Sequence, residues 1–180
     1  MKTKSLTKFF SLLAFMLFVS NGMYGQSEKG DFWSSIEARS SAFSGKGKRH
    51  VEIAYSLGYN ITNRFSAAIN LEDAVSLFEI EGEKDHYMNA VGGGKLIFKA
   101  FKRKNTDYGI ECGAGATLDN KAWKYAYYDV AIFTSHPIGK VRTFVSYGYR
   151  YYDSMSRSFG NHWRFRISIG CTFPMELIFK

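Results

Sequence analysis

The sequence predicts an all-β chain that closes into an eight-stranded antiparallel up-and-down transmembrane β-barrel, a meander preceded by a cleaved signal peptide. Three observations predict it. The first is a period of two. Val141, Thr143, Val145, Tyr147, Tyr149 and Tyr151 alternate with Arg142, Phe144, Ser146, Gly148 and Arg150. Trp163, Phe165, Ile167, Ile169, Cys171 and Phe173 alternate with Arg164, Arg166, Ser168, Gly170 and Thr172. Successive strand side chains point to opposite faces, so each segment has one apolar face and one face rich in arginine, glycine and hydroxyl. The second is composition: 17% aromatic residues, 17 glycines and only two prolines favour strands that bend. The third is the lack, after the N-terminus, of any stretch near the ~20 apolar residues of a helical span. A membrane form must then be a closed barrel, because lipid offers no partner to open backbone groups.

The N-terminus reads as a targeting segment. Lys2, Lys4 and Lys8 form a basic region, and residues 9–19 an apolar run too short to cross a membrane. Small and polar residues follow up to a cut ahead of Gln26, or an earlier one after Gly22. With residues 1–25 removed, residues 26–180 form one barrel domain, and the formal charge falls from +8 to about +5. No cysteine near the cut points to a lipid anchor. Cys112 and Cys171 are too few for a disulfide framework and fall on apolar faces, where they pack as small hydrophobes.

Residues 31–43 form the first expected strand, with Ser34, Ile36 and Ala38 opposite Glu37 and Arg39. Residues 44–49 are a glycine-rich basic loop. The second strand, 50–62, sets Val51, Ile53, Tyr55, Leu57, Tyr59 and Ile61 against Glu52, Ala54, Ser56, Gly58 and Asn60. A tight turn at 62–64 leads into Phe65, Ala67, Ile69 and Leu71, opposite Ser66, Ala68, Asn70 and Glu72, a hairpin. Residues 73–80 fit two descriptions, strand extension into a loop or a short helix, because Leu71, Val75 and Phe78 also keep helical spacing. Residues 81–86 are charged and read as loop.

The fourth strand, 87–101, contains Gly92, Gly93 and Gly94. A phosphate-binding loop would need wider glycine spacing, a Lys-Ser/Thr pair and a following helix; bends that let a sheet curve account for the triplet. Lys95 and Lys99 share one face. After a turn at 103–106, Tyr108, Ile110, Cys112, Ala114, Ala116 and Leu118 alternate with Gly109, Glu111, Gly113, Gly115 and Thr117. A short loop, 119–124, precedes Ala126, Tyr128, Val130, Ile132 and Thr134, which alternate with Tyr125, Tyr127, Asp129, Ala131 and Phe133. Residues 136–139 turn the chain into the last hairpin, whose loop is 153–161.

Connections near Asn63, Asn105 and Pro137 are short; those at 44–49, 79–86 and 153–161 are longer, the alternation of periplasmic turns and outer loops. Tyr147, Tyr149 and Tyr151, then Tyr125, Tyr127 and Tyr128, then Trp163 and Phe165 fall at one rim, as an aromatic girdle would. The polar faces together carry Glu37, Arg39, Glu52, Glu72, Lys95, Lys99, Glu111, Asp129, Arg142, Arg150, Arg164 and Arg166. Closure sets the last strand beside the first, which would bring Arg164 and Arg166 towards Glu37. These charges would pair across a narrow lumen while nearly uncharged faces meet lipid.

The signal segment, the meander and hairpins such as Leu57-Gly58-Tyr59-Asn60-Ile61-Thr62-Asn63-Arg64-Phe65-Ser66 resemble small eight-stranded outer-membrane β-barrel proteins of the OmpX and OmpA-barrel type. The resemblance spans nearly the whole mature chain and implies a monomer in the bacterial cell outer membrane, in contact with lipid and lipopolysaccharide. It also implies insertion by the barrel assembly machinery, which reads an aromatic C-terminal residue. Ser168, Gly170 and Phe173 look like part of that signal, although the chain runs on to Lys180, and Phe179 is the other candidate.

The chemistry of a catalytic site is sparse. His50, His86, His136 and His162 lie at strand ends or in loops without metal-ligand spacing, so neither a metal nor another cofactor is expected. Ser158 and His162 are the nearest approach to a lipid-modifying nucleophile and base, and two neighbours in a loop are not a triad. A barrel of this size is filled by its own side chains, which argues against a wide pore. Lys46, Lys48 and Arg49 at the outer rim would suit lipopolysaccharide phosphates. Nucleic acid is a poor fit, since the basic residues do not form one continuous stripe. The expected role is structural, in envelope stability or in surface interaction. The alternative is a secreted, soluble lipocalin-like barrel around an apolar ligand, with apolar faces inward and arginines outward.

Overall fold

The computed structural model describes residues 29–42, 49–80, 83–118, 123–155 and 160–175. The expected signal segment, Lys46, Lys48, Ser158 and Phe179 lie outside them, as does the side chain of Arg49. Eight strands follow in order: β1 (Phe32–Ala42), β2 (Arg49–Asn60), β3 (Phe65–Ile80), β4 (Glu83–Arg103), β5 (Thr106–Thr117), β6 (Tyr125–Ile138), β7 (Val141–Ser154) and β8 (His162–Pro174). Each pairs antiparallel with its chain neighbours, and β1 pairs with β8, so the sheet closes on itself, with the β3–β4 hairpin running on above Val91.

Turns at one end, called lower here, are tight. Thr62 Oγ1 accepts hydrogen bonds from the backbone N–H groups of Arg64 and Phe65 at 3.2 and 2.9 Å, folding the β2–β3 turn on itself. Lys104 and Gly139 take left-handed backbones (φ 55° and 61°) in the two turns that follow. At the upper end β3 and β4 decide between two descriptions and correct one expectation. Residues 73–80 are strand, not helix, and β4 begins at Glu83 within the stretch read as loop. Leu77 pairs with His86 and Ile80 with Glu83. Cross-strand pairing along a hairpin outweighs the weak helical spacing of three residues, and the run of charges does not stop it.

The alternation of faces runs through every strand, with one interruption. Between Lys99 and Phe101 a bulge shifts the register against β5. It keeps Phe98 and Phe101 both outward, where Phe101 stacks on Tyr108 at 4.8 Å.

Inside, large side chains face glycine. Trp33 pairs with Gly58, Phe133 with Gly109, Tyr127 with Gly115 and Phe144 with Gly170. A Cβ at any of these glycines would overlap the facing ring. The interior of a narrow barrel has room for one bulky group per cross-strand pair. The glycines sit where that group lies, a close-approach role beyond the bending expected from sequence.

Candidate functional site: the charged interior

The middle of the barrel is filled by one connected ion network. Arg150 is its hub. Its guanidinium lies 2.8 Å from Glu52, 2.9 Å from Glu72 and 2.6 Å from Asp129, and stacks over the Tyr127 ring at 3.8 Å. Arg39 bonds Glu37 at 2.8 Å and Glu72, and reaches Glu52 at 3.7 Å. Arg166 bonds Glu111 and approaches Asp129 at 3.4 Å and Glu37 at 3.8 Å. Lys95 adds a contact to Glu37 at 3.3 Å. Residues as far apart in sequence as Glu52 and Arg150 meet because the closed sheet wraps their inward faces around one axis. Such charges are tolerated out of water only when paired and hydrogen-bonded.

Tyrosines and hydroxyls add further hydrogen bonds to the network's carboxylates. Tyr127 donates to Glu72 at 2.8 Å and accepts from Asn70 at 2.9 Å. Tyr152 donates to Glu52 at 2.9 Å, and Ser146 donates to Glu111 at 2.9 Å. His50, wholly buried, contacts Ser76 and lies 2.8 Å from Glu52.

Above the network an aromatic plug closes the interior: Trp123, Tyr125, Tyr127 and Tyr152 are at most 1% exposed. Trp123 belongs to the stretch read as loop. It turns inward, its indole N–H donating to Ser154 at 3.1 Å, and packs on Tyr125 at 4.4 Å. Tyr125 and Tyr127 therefore do not belong to an outer girdle. They share parity with Asp129, and strand geometry turns all three inward. That signal was present in the alternation of β6, but the tyrosine cluster masked it.

Of the twelve charges expected inside, Glu37, Arg39, Glu52, Glu72, Lys95, Glu111, Asp129, Arg150 and Arg166 form this network. Arg142 stands apart near the lower end and pairs with Asp107 at 2.6 Å. Asp107 sits beside a turn and was not anticipated; its parity with Glu111 places it inside. Lys99 lines the lower interior.

Arg164 departs from expectation. It does not approach Glu37. Glu37 pairs with Gly170, and Arg164 lies six residues further up β8, too far to reach down. Its Nε donates instead to His162 at 3.0 Å, and it faces the Tyr152 ring at 5.0 Å. Its two terminal nitrogens, buried, have no hydrogen-bond partner among the described residues.

The outer surface has the opposite character. Ile69, Leu71, Leu96, Val130, Ile132, Tyr147, Ile167 and Ile169 are 43–68% exposed. Of the outward acids on the strands, Asp73 lies midway along β3, between Leu71 and Val75, and Asp153 near the upper end of β7. Aromatic pairs sit at both ends of this band: Phe32 with Tyr59 and Phe65 with Phe98 below, Tyr149 with Phe165 and Tyr151 with Trp163 above.

Among the described residues no cluster of three His, Cys, Asp or Glu side chains could hold a metal ion. No family model matches the chain, and no curated protein matches it. The class established is therefore architectural: a closed, eight-stranded, up-and-down antiparallel barrel with a buried charge network.

Proposed function

We propose that this chain is an integral outer-membrane β-barrel protein of the small OmpX and OmpA-barrel kind. Its role is structural, in envelope stability or surface interaction, and its lumen is closed by paired charges. One observation carries the reading: the arginines of β7 and β8 face the interior while the opposite faces form an apolar band, bounded by aromatic side chains at both ends. Monomeric water-soluble proteins rarely expose a contiguous apolar surface beyond a few hundred Å². A band around a barrel is the surface that hydrocarbon requires, and aromatic rings suit its two borders. The partners that follow are outer-membrane lipid, lipopolysaccharide phosphates at the basic loop, and the barrel assembly machinery acting on β8.

The test uses spin labels at Ile69→Cys and Ile167→Cys, in a background with Cys112→Ser and Cys171→Ser, in isolated membranes. Both sites are expected to collide freely with dissolved oxygen and poorly with a water-soluble nickel chelate. Recovery of the protein in the soluble fraction, with both labels reached by nickel, would overturn the reading and favour the soluble ligand-binding barrel.

A further inference from the structure

Below the ion network the described residues do not fill the interior. A cavity of about 90 Å³ opens at the lower end, lined by residues that include Lys99, Lys140, Arg142 and Pro174. It is blind. Its floor is the network, reached through Lys95 and Glu111, and the aromatic plug lies beyond. Its walls are mainly apolar: Trp33, Ile97, Phe133 and Phe144 face into it.

The mouth is strongly basic. Lys29, Arg64, Lys102, Arg103 and Lys104 are exposed around it, with Lys140 at its edge. Among the described residues the acids at or lining this end are Asp31, Asp107 and Glu111; Asp107 is engaged by Arg142 and Glu111 by Arg166, and Lys99 lies in the field of Asp107 and Asp31. Low-dielectric walls behind a ring of one sign focus field at the opening and raise the local concentration of counter-charged solutes. The recess is smaller than the roughly 300 Å³ at which ordinary small-molecule pockets begin, so it holds at most one ring or a short chain, with any polar head left at the mouth.

We propose that this vestibule binds a small amphipathic anion, one aromatic ring or short acyl chain bearing a single carboxylate or phosphate. The apolar body lies against Trp33, Phe133 and Phe144. The anionic head stays at the mouth, near Lys99 and Lys140, where charge-assisted hydrogen bonds are strong. The network above prevents passage, so this is a binding site and not a channel. The inference needs only the closed barrel, and it stands or falls separately from the side on which lipid lies.

The test is ¹⁹F NMR titration of the purified protein in lipid nanodiscs, or in buffer if it proves soluble, with 4-fluorobenzoate. Saturable binding to one site is expected, with intermolecular NOEs to the Phe133 and Phe144 rings. 4-Fluorobenzyl alcohol should bind at least tenfold more weakly, and inorganic phosphate at equal concentration should not displace the benzoate. Filling the recess with Ile97→Trp, or with Ser66→Phe should that variant not fold, should abolish binding. Lys99→Gln together with Lys140→Gln should weaken it at least fivefold. Equal binding of the alcohol would make the site merely apolar, and full displacement by phosphate would make it a plain ion site. Either result, no saturable binding, or NOEs to other residues would overturn the proposal.

Discussion

Arg150 touches three carboxylates and Arg164 touches none among the described residues, although both are buried arginines on neighbouring strands and pair directly in the register. The difference sets their energetics. Replacing Arg150 with Met would strand Glu52, Glu72 and Asp129 without their shared cation, a loss of about 3–5 kcal/mol. Replacing Arg164 with Met removes a guanidinium that is desolvated without a carboxylate to offset the cost. The expected change is within about 1 kcal/mol, with stabilisation the favoured sign. Urea unfolding midpoints of the two single variants measure both, and an Arg164→Met variant as damaged as Arg150→Met would contradict the assignment. Tyr127 tests the network's neutral members. Tyr127→Phe leaves Glu72 and Asn70 each short of a hydrogen bond, a cost of about 1–3 kcal/mol readable in the same experiment.

At the scale of the strand, the glycine positions carry the register. Gly170 lies under Phe144, so Gly170→Val should force the ring aside and cost about 1–3 kcal/mol. The double variant Gly170→Val/Phe144→Ala should recover part of that loss, because the added methyls then occupy the space the ring left. A double-mutant cycle on thermal midpoints reads the coupling, and strict additivity would show that the two side chains do not compete. The bulge in β4 works in the same way on the outer face. It inserts one residue before Phe101 and so returns that ring to the exterior, beside Tyr108. Without it the period of two would carry Phe101 into the lower cavity.

At the scale of the whole molecule, the interior is closed in series by the ion network and by the aromatic plug above it. Planar-bilayer recordings of the reconstituted protein should therefore show conductance far below that of a water-filled porin. A Tyr127→Ala/Arg150→Ala variant, which removes the hub and one ring of the plug, should raise it. Large, stable openings of the unmodified protein would mean that the paired charges do not fill the lumen in a membrane. The exterior explains why one fold needs both halves of this pattern: a barrel with its charges inside has nowhere else to put its apolar side chains than around its waist.

The faces of the strands were legible in the sequence. A period of two is local, and Glu37 opposite Ile36 or Arg166 opposite Ile167 needs no knowledge of the rest of the chain. Eight strands and tight turns were legible for the same reason, and so were the inward charges within the strands, though not Asp107 beside its turn. Partners were not. Arg150 meets Glu72 across 78 positions of chain, and only closure with its stagger decides which inward charge lies at which height, so Arg166 reaches Glu37 and Arg164 does not. The aromatic plug was hidden because tyrosine suits a core and a membrane border equally well, and parity with Asp129 settles the matter only once the strand is known to keep its register. The length of β3 and β4 was decided by pairing between them, a non-local free energy that a run of charged residues does not announce. The lower cavity arises in the same way. No segment encodes it, and it exists because the rings of Trp33, Phe133 and Phe144 line the space that the paired charges above them leave unfilled.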